Sequence, residues 1–300
     1  MSSQNQPPPQ AVANLPVVET LTTAFAATYG RPGLLLRAAT GGLLLLAATA
    51  AASLALPPNP FTLMLMVVAP FAAYSHFGVN WYRIMLLGPE GLVRPTLRWD
   101  RRHWRFLGYG LALAGVLLVI NVLLSLALPF AGPVITLCLL YLAARCSFLF
   151  PTISVEEPYS FAFSWQHTQG QGLRLTAALL IAGLPLLLSV VLLSSLLFTA
   201  LFGLSLFEFV TLPANGGPPT DGALSPRGGG GEMPEFSPLA LLSFKMISEA
   251  LCMAALAPLF SIVAIAFRTC TGWVPAGPGN LPAAPDATQD NGPDDRSGGA

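Results

Sequence analysis

Residues 175–204 read LTAALLIAGLPLLLSVVLLSSLLFTALFGL, 30 positions without one charged side chain. Wound as an α-helix at about 1.5 Å per residue, the run is about 45 Å long, more than the ~30 Å hydrocarbon core of a bilayer needs. It does not alternate apolar with polar residues, as a ~10-residue barrel strand would. The stretch reads as a membrane-crossing helix. Its excess length implies tilt or a kink, and Pro185 sits where a kink would form.

Five more runs have the same character: 34–56, 61–87, 106–128, 134–153 and 239–267. Pro258 supplies a kink site in the last. Composition agrees, with 54% hydrophobic and 9% charged residues and a mean hydropathy of +0.65. Soluble domains carry about a quarter charged residues, and so few charges cannot cover a water-soluble body of this size. The 14 basic and 14 acidic residues cancel, which leaves no net field to attract nucleic acid or an acidic substrate. The expected fold is an all-α polytopic transmembrane helical bundle of six spans.

Arginine placement orients the bundle. The turns 57–60 and 129–133 are uncharged, whereas the connection between spans 2 and 3 holds Arg94, Arg98, Arg101, Arg102 and Arg105. Arg31 and Arg37 flank the start of span 1, Arg83 and Arg145 close spans 2 and 4, Arg174 opens span 5 and Arg268 closes span 6. In a six-span chain, 12 of the 14 basic residues then share one side, the exceptions being Arg227 and Lys245. The positive-inside rule makes that side, and both termini, cytoplasmic. The abundance of Arg over Lys among Ala, Gly, Leu and Pro points to a GC-rich bacterial genome, hence a bacterial inner membrane. No cleavable signal is visible in 1–16.

Outside a membrane domain at 17–270, the tails 1–16 and 271–300 and the external loop 205–238 have too little apolar surface to offset the entropy of ordering and are expected to be disordered. Three hairpins fill the domain, each with an aromatic lead. The leads are Val18, Leu21, Phe25 and Tyr29; then Trp99, His103, Trp104 and Phe106; then Phe161 and Trp165 before Thr168 and Gly170. Cytoplasmic interfacial amphipathic helices would account for all three. Phe25/Gly30 and Trp165/Gly170 form a faint internal repeat.

The segment from Arg145 to Leu175, with Arg145, Pro151, Trp165, Thr168, Gly170 and Arg174, resembles the segment joining two spans in uncharacterised bacterial six-helix inner-membrane proteins. These include YciC-like proteins and the membrane domain attached to some glycerophosphoryl diester phosphodiesterases. Trp81-Tyr82-Arg83 followed by Leu86-Leu87-Gly88 has the same flavour. The resemblance implies fold and location over about residues 17–270. It implies no activity, since the phosphodiesterase catalytic domain has no counterpart here. Near Trp165, where the family usually has a basic residue, this chain has Gln166 and His167.

Ionisable groups at membrane depth are costly and each needs a reading. Lys245 and Glu249, four apart on span 6, form a candidate intramembrane polar pair. They either line a solute path or neutralise each other inside the bundle. Arg83 and Arg145, with His76, Asn80, Glu156, Glu157, Trp165 and Thr168, could frame a pocket for an anionic headgroup. Arginine's planar fork suits phosphate, and the alternative is snorkelling at the interface. Of these, Arg83, Arg145, His76, Trp165 and Thr168 are the candidate headgroup-binding residues. Asn121 is expected to hydrogen-bond between helices. Gly41, Gly42, Gly108, Gly110 and Gly115 are expected to let helices approach closely.

Catalytic signals are missing. The three histidines are scattered, and no H-E-x-x-H, Walker loop, nucleophile elbow or acidic cluster is present. Glu156–Glu157 read as a solvated turn. Cys138, Cys146, Cys252 and Cys270 form no C-x-x-C pair and read as packing residues. No cofactor or metal is expected. The expected partners are the bilayer, anionic lipid headgroups and unnamed membrane proteins, without nucleic acid. Function ranks as a non-enzymatic envelope accessory or scaffold, then a small-solute or lipid transporter using Lys245 and Glu249, then a lipid-headgroup enzyme.

Overall fold

The computed structural model describes residues 14–57, 59–89, 99–127, 129–157, 160–202 and 237–275. The two expected tails and the 205–238 loop therefore lie almost wholly outside the described residues, as do Arg94 and Arg98. Among the described residues there is no strand, and six helices are long and apolar enough to cross a membrane.

The helices are α1 (Val17–Tyr29), α2 (Pro32–Ala55), α3 (Pro60–Leu87), α4 (Arg101–Ala127), α5 (Gly132–Cys146), α6 (Leu149–Val155), α7 (Phe161–His167), α8 (Gly172–Phe202) and α9 (Pro238–Thr271). A 3₁₀ turn at Pro129–Ala131 joins α4 to α5. Local chemistry sets the ends. Pro32, Pro60 and Pro238 open α2, α3 and α9, where the missing N–H would have had no partner anyway. At α3 the Asn59 side chain accepts from the Thr62 N–H, and the Thr62 hydroxyl accepts from the Asn59 N–H, both at 2.9 Å. Gly88 and Gly272 end α3 and α9 at φ +88° and +66°, conformations that glycine adopts without strain.

The fourth span is broken. α5 stops at Cys146 and α6 resumes at Leu149. Pro151 has no N–H to give the Ser147 carbonyl, which instead accepts from Phe150 at 3.1 Å. The Ser147 hydroxyl takes the Ala144 carbonyl at 2.7 Å. The interruption lies one turn before the proline, where an unbroken helix would lose a bond.

The core has two parts. In the larger, Val79, Tyr82 and Leu86 of α3, Phe148, Leu149 and Ile153 around the α5–α6 break, and Ile262, Val263 and Phe267 of α9 pack with Leu175 and Ala178 of α8. In the smaller, Ala38, Ala39 and Leu46 of α2 meet Ala73, Phe77 and Trp81 of α3 and Met253 and Ala257 of α9. The opposite faces carry bare Leu184, Leu187, Leu188, Val191 and Leu192 on α8 and Phe61, Met64 and Val67 on α3. A surface so continuously apolar suits lipid and not water. The chain is a multi-pass membrane protein.

The three leads diverge. α1 is a separate helix, but its buried face is Thr20, Ala24 and Thr28, packed on α8 and α9, while Val18 is 75% exposed. Leu21 and Phe25 of the apolar stripe still pack against the core, but small residues make the fully buried part of the dock. The third lead forms the short helix α7. The second is no separate helix: α4 begins at Arg101, five residues before the expected start of span 3, so His103, Trp104 and Phe106 occupy its first turns.

α4 leaves the core after those turns. In its most apolar 18-residue window nothing is buried. Asn121 consequently makes no interhelical hydrogen bond, contrary to expectation. The glycines divide in the same way. A Cβ at Gly42 would lie 2.8 Å from the Ala73 carbonyl oxygen, and one at Gly41 would overlap the His76 ring, so these two do bring α2 onto α3. Gly108 and Gly115 face open space and Gly110 has only an ordinary contact, so α4 owes no close approach to them.

Candidate functional site

Arg145 organises one end of the bundle. It occupies the last turn of α5, where a cation meets the negative end of the helix dipole. Its guanidinium lies over the Trp165 ring, 3.5 Å from the centroid. Nη2 donates to the Trp165 carbonyl at 2.6 Å and Nε to the Thr168 hydroxyl at 3.2 Å. The Ser164 hydroxyl returns a bond to the Arg145 carbonyl at 2.6 Å. Gly172 is required beside it, because a Cβ there would come within 2.9 Å of Tyr141 and 3.2 Å of the Arg145 stem. Gly170, at φ +77°, makes the turn into α8. Arg145 is itself buried. Three of the five candidate headgroup residues thus meet, as a clamp holding α5 to α7.

Arg83 and His76 stand elsewhere. Arg83 Nη1 donates to the Ser154 carbonyl at 3.3 Å, and Glu156, Asp100 and Arg102 lie within its electrostatic reach. Arg102 and Glu156 form an ion pair. His76, buried on α3, accepts from the Asn80 amide at 3.1 Å and stacks on His103, with ring centroids 5.0 Å apart. Trp99 stacks on the same pair. The Asp100 N–H donates to His103 Nδ1 at 3.0 Å, so the neutral ring carries its proton on Nε2. That Nε2 and the Trp99 indole nitrogen are buried without a hydrogen-bond partner. Arg145 thus meets Trp165 and Thr168, while Asp100 lies near both Arg83 and the His103 ring that stacks on His76.

Lys245 and Glu249 lie four apart on α9 but form no ion pair. Glu249 instead accepts the Tyr74 hydroxyl from α3. Beside it, an apolar cavity of about 250 Å3 lies between α8 and α9, bounded by Tyr74, Leu186, Val190, Cys252 and Leu259. Deeper in the bundle, Ser261 accepts from the Trp81 indole at 2.9 Å, pairs with the Thr28 hydroxyl at 3.0 Å and donates to the Ala257 carbonyl at 2.9 Å. Ser194 and Ser248 pair across α8 and α9 at 3.2 Å. The Tyr29 hydroxyl of α1 donates to the Ala254 carbonyl, midway along α9, at 3.2 Å.

Sequence reading missed Tyr74 and Ser261, because lone polar residues in apolar runs carry no spacing signal, and it gave Trp81 no hydrogen-bond role. It also missed a cavity of about 270 Å3 where α6, α7 and the end of α9 meet. Three aromatic side chains, Phe163, Phe267 and Trp273, line it with Thr152, Glu157, His167 and Thr271. The Trp273 indole N–H donates to Glu157 at 3.1 Å. Glu157 is not merely a solvated turn residue, and nothing local to it in sequence shows its partner 116 positions away.

No known family, curated protein or solved structure matches the chain.

Proposed function

We propose that this protein is a bacterial inner-membrane scaffold or accessory factor, with both termini in the cytoplasm and no chemistry of its own. The observation that carries this reading is the use made of polar groups at membrane depth. Tyr74–Glu249, Ser261–Trp81–Thr28 and Ser194–Ser248 each tie one helix to another. Such bonds fix a bundle in lipid, where each is worth about 0.6–1.7 kcal/mol. The side chains best equipped for chemistry thus act as interhelical ties. The α4–α5 hairpin, bare along its outer half, offers an apolar surface to a neighbouring membrane protein.

Crosslinking in intact cells, followed by capture through a C-terminal tag in mild detergent, tests the scaffold reading. A stoichiometric membrane-protein partner is expected, and its absence contradicts the reading.

A transporter is the second reading, favoured by Tyr74, which lines the α8–α9 cavity and donates to Glu249. It requires that Lys245→Ala/Glu249→Ala abolish a solute flux, which the scaffold reading expects to be unchanged.

A further inference from the structure

The cavity between α6, α7 and the C-terminal end of α9 has an unusual hydrogen-bond balance. Each polar hydrogen of its lining side chains is already taken. The Thr152 hydroxyl donates to the Leu149 carbonyl at 2.8 Å and the Thr271 hydroxyl to the Phe267 carbonyl at 2.6 Å. His167 Nδ1 donates to the Phe163 carbonyl at 2.9 Å. The Trp273 indole N–H goes to Glu157. What the walls still offer is acceptors: the Thr152 and Thr271 hydroxyl oxygens, the latter already accepting the Trp273 backbone N–H at 3.2 Å, and the Glu157 carboxylate. Glu157 is an exposed residue and forms no ion pair with a described residue, whereas its neighbour Glu156 pairs with Arg102. The remaining walls are the rings of Phe163, Phe267 and Trp273.

A pocket of free acceptors, one negative charge and aromatic rings selects a positively charged ligand that carries hydrogen-bond donors. Cations are drawn to aromatic faces, by about 0.5–2 kcal/mol according to desolvation. A guanidinium is planar and wide, and a trimethylammonium brings no N–H to the waiting acceptors. A primary ammonium on a short arm meets both demands, and about 270 Å3 accommodates it. Thr271 ends the last membrane-crossing helix, so the cavity lies at headgroup depth.

We propose that this cavity binds a primary ammonium group, with Glu157 as counter-ion and Phe163, Phe267 and Trp273 as its aromatic walls. The ammonium belongs either to the headgroup of an ethanolamine phospholipid or to a free ethanolamine-type amine. The site is separate from the clamp at Arg145, and it holds whether or not the scaffold reading does.

The test uses the full-length chain in nanodiscs. One set contains phosphatidylethanolamine with phosphatidylglycerol, and a second replaces the ethanolamine lipid by phosphatidylcholine. Native mass spectrometry counts the lipid retained per protein. Phosphatidylethanolamine should be retained about tenfold over phosphatidylcholine by the unaltered protein. Glu157→Gln should remove that preference, and Trp273→Phe, which keeps a ring but loses the N–H that steers Glu157, should weaken it several-fold. Free ethanolamine is titrated separately into phosphatidylglycerol discs. Saturable binding there that Glu157→Gln abolishes, with no retention of the lipid, assigns the ammonium to a soluble amine and supports the site. Equal retention of the two lipids together with no ethanolamine binding overturns the proposal, and that comparison needs no variant to fold.

Discussion

The Arg145 guanidinium covers the face of the Trp165 ring at 3.5 Å and donates to the backbone carbonyl of the same residue at 2.6 Å. One side chain thereby holds both the ring and the main chain of α7. Lysine has neither the planar fork nor the stacking surface to replace it. Arg145→Lys should cost about 2 kcal/mol of stability, and Arg145→Ala about 3 kcal/mol, because truncation leaves the Thr168 and Trp165 acceptors without their donor in a buried site. Thermal unfolding in detergent measures both. Were Arg145 instead a lipid-facing headgroup ligand, the melting temperature would hardly move while lipid retention fell.

The contact between Tyr74 and Glu249 predicts strong coupling where Lys245 and Glu249 have little. A double-mutant cycle with Tyr74→Phe and Glu249→Gln should give a coupling of about 1–2 kcal/mol, near the upper range for interhelical bonds in membranes. The same cycle with Lys245→Ala and Glu249→Gln should give less than about 0.5 kcal/mol. A reversal of that order would restore the ion pair that four-residue spacing invites.

Ser261 is the hub between α1, α3 and α9. Ser261→Ala leaves the buried Trp81 N–H without an acceptor, whereas Thr28 keeps its bond to the Ala24 carbonyl at 2.8 Å. The expected loss is about 1–3 kcal/mol. Adding Trp81→Phe, which removes the stranded donor, should recover part of it. Additive losses in the double variant would show that the serine acts through packing alone.

The glycines of α2 and α4 should respond in opposite directions. Gly42→Ala drives a Cβ to 2.8 Å from the Ala73 carbonyl oxygen and should destabilise by about 1–3 kcal/mol. Gly108→Ala meets nothing within 4 Å and should stabilise α4 by about 0.5–1 kcal/mol through reduced backbone freedom. Parallel melting curves of the two variants settle the pair.

Much of this was readable from the chain alone, for a physical reason. Lipid demands long uncharged helices with internally satisfied backbones, so the spans near 61–87 and 239–267 agree with α3 and α9 to within a few residues. Contacts between helices were harder to read. Arg145, Trp165 and Thr168 met as expected because they lie within 24 residues across one turn. His76, Arg83 and Arg145 share an end of the bundle, but span hydropathy does not encode helix rotation, and so does not say which neighbours each one meets. For the same reason part of the α1 docking face was hard to read: Thr20 and Thr28 are polar, yet with Ala24 they are small enough to pack closely on α8 and α9, beside Leu21 and Phe25. The break at Ser147 had a visible cause in Pro151, although the apolar run around it reads as continuous.

The central claim is that lipid is the solvent of this chain and that its arginine-bearing connections share the cytoplasmic side. A series of alkaline phosphatase fusions tests it most directly, with fluorescent-protein fusions at the same sites as the complementary signal. Phosphatase should be active when joined after residues 57 and 131, and inactive after residues 31, 100, 160 and 275, where the fluorescent protein should report instead. Phosphatase activity at residue 100 or 275 would contradict the six-span bundle and its orientation.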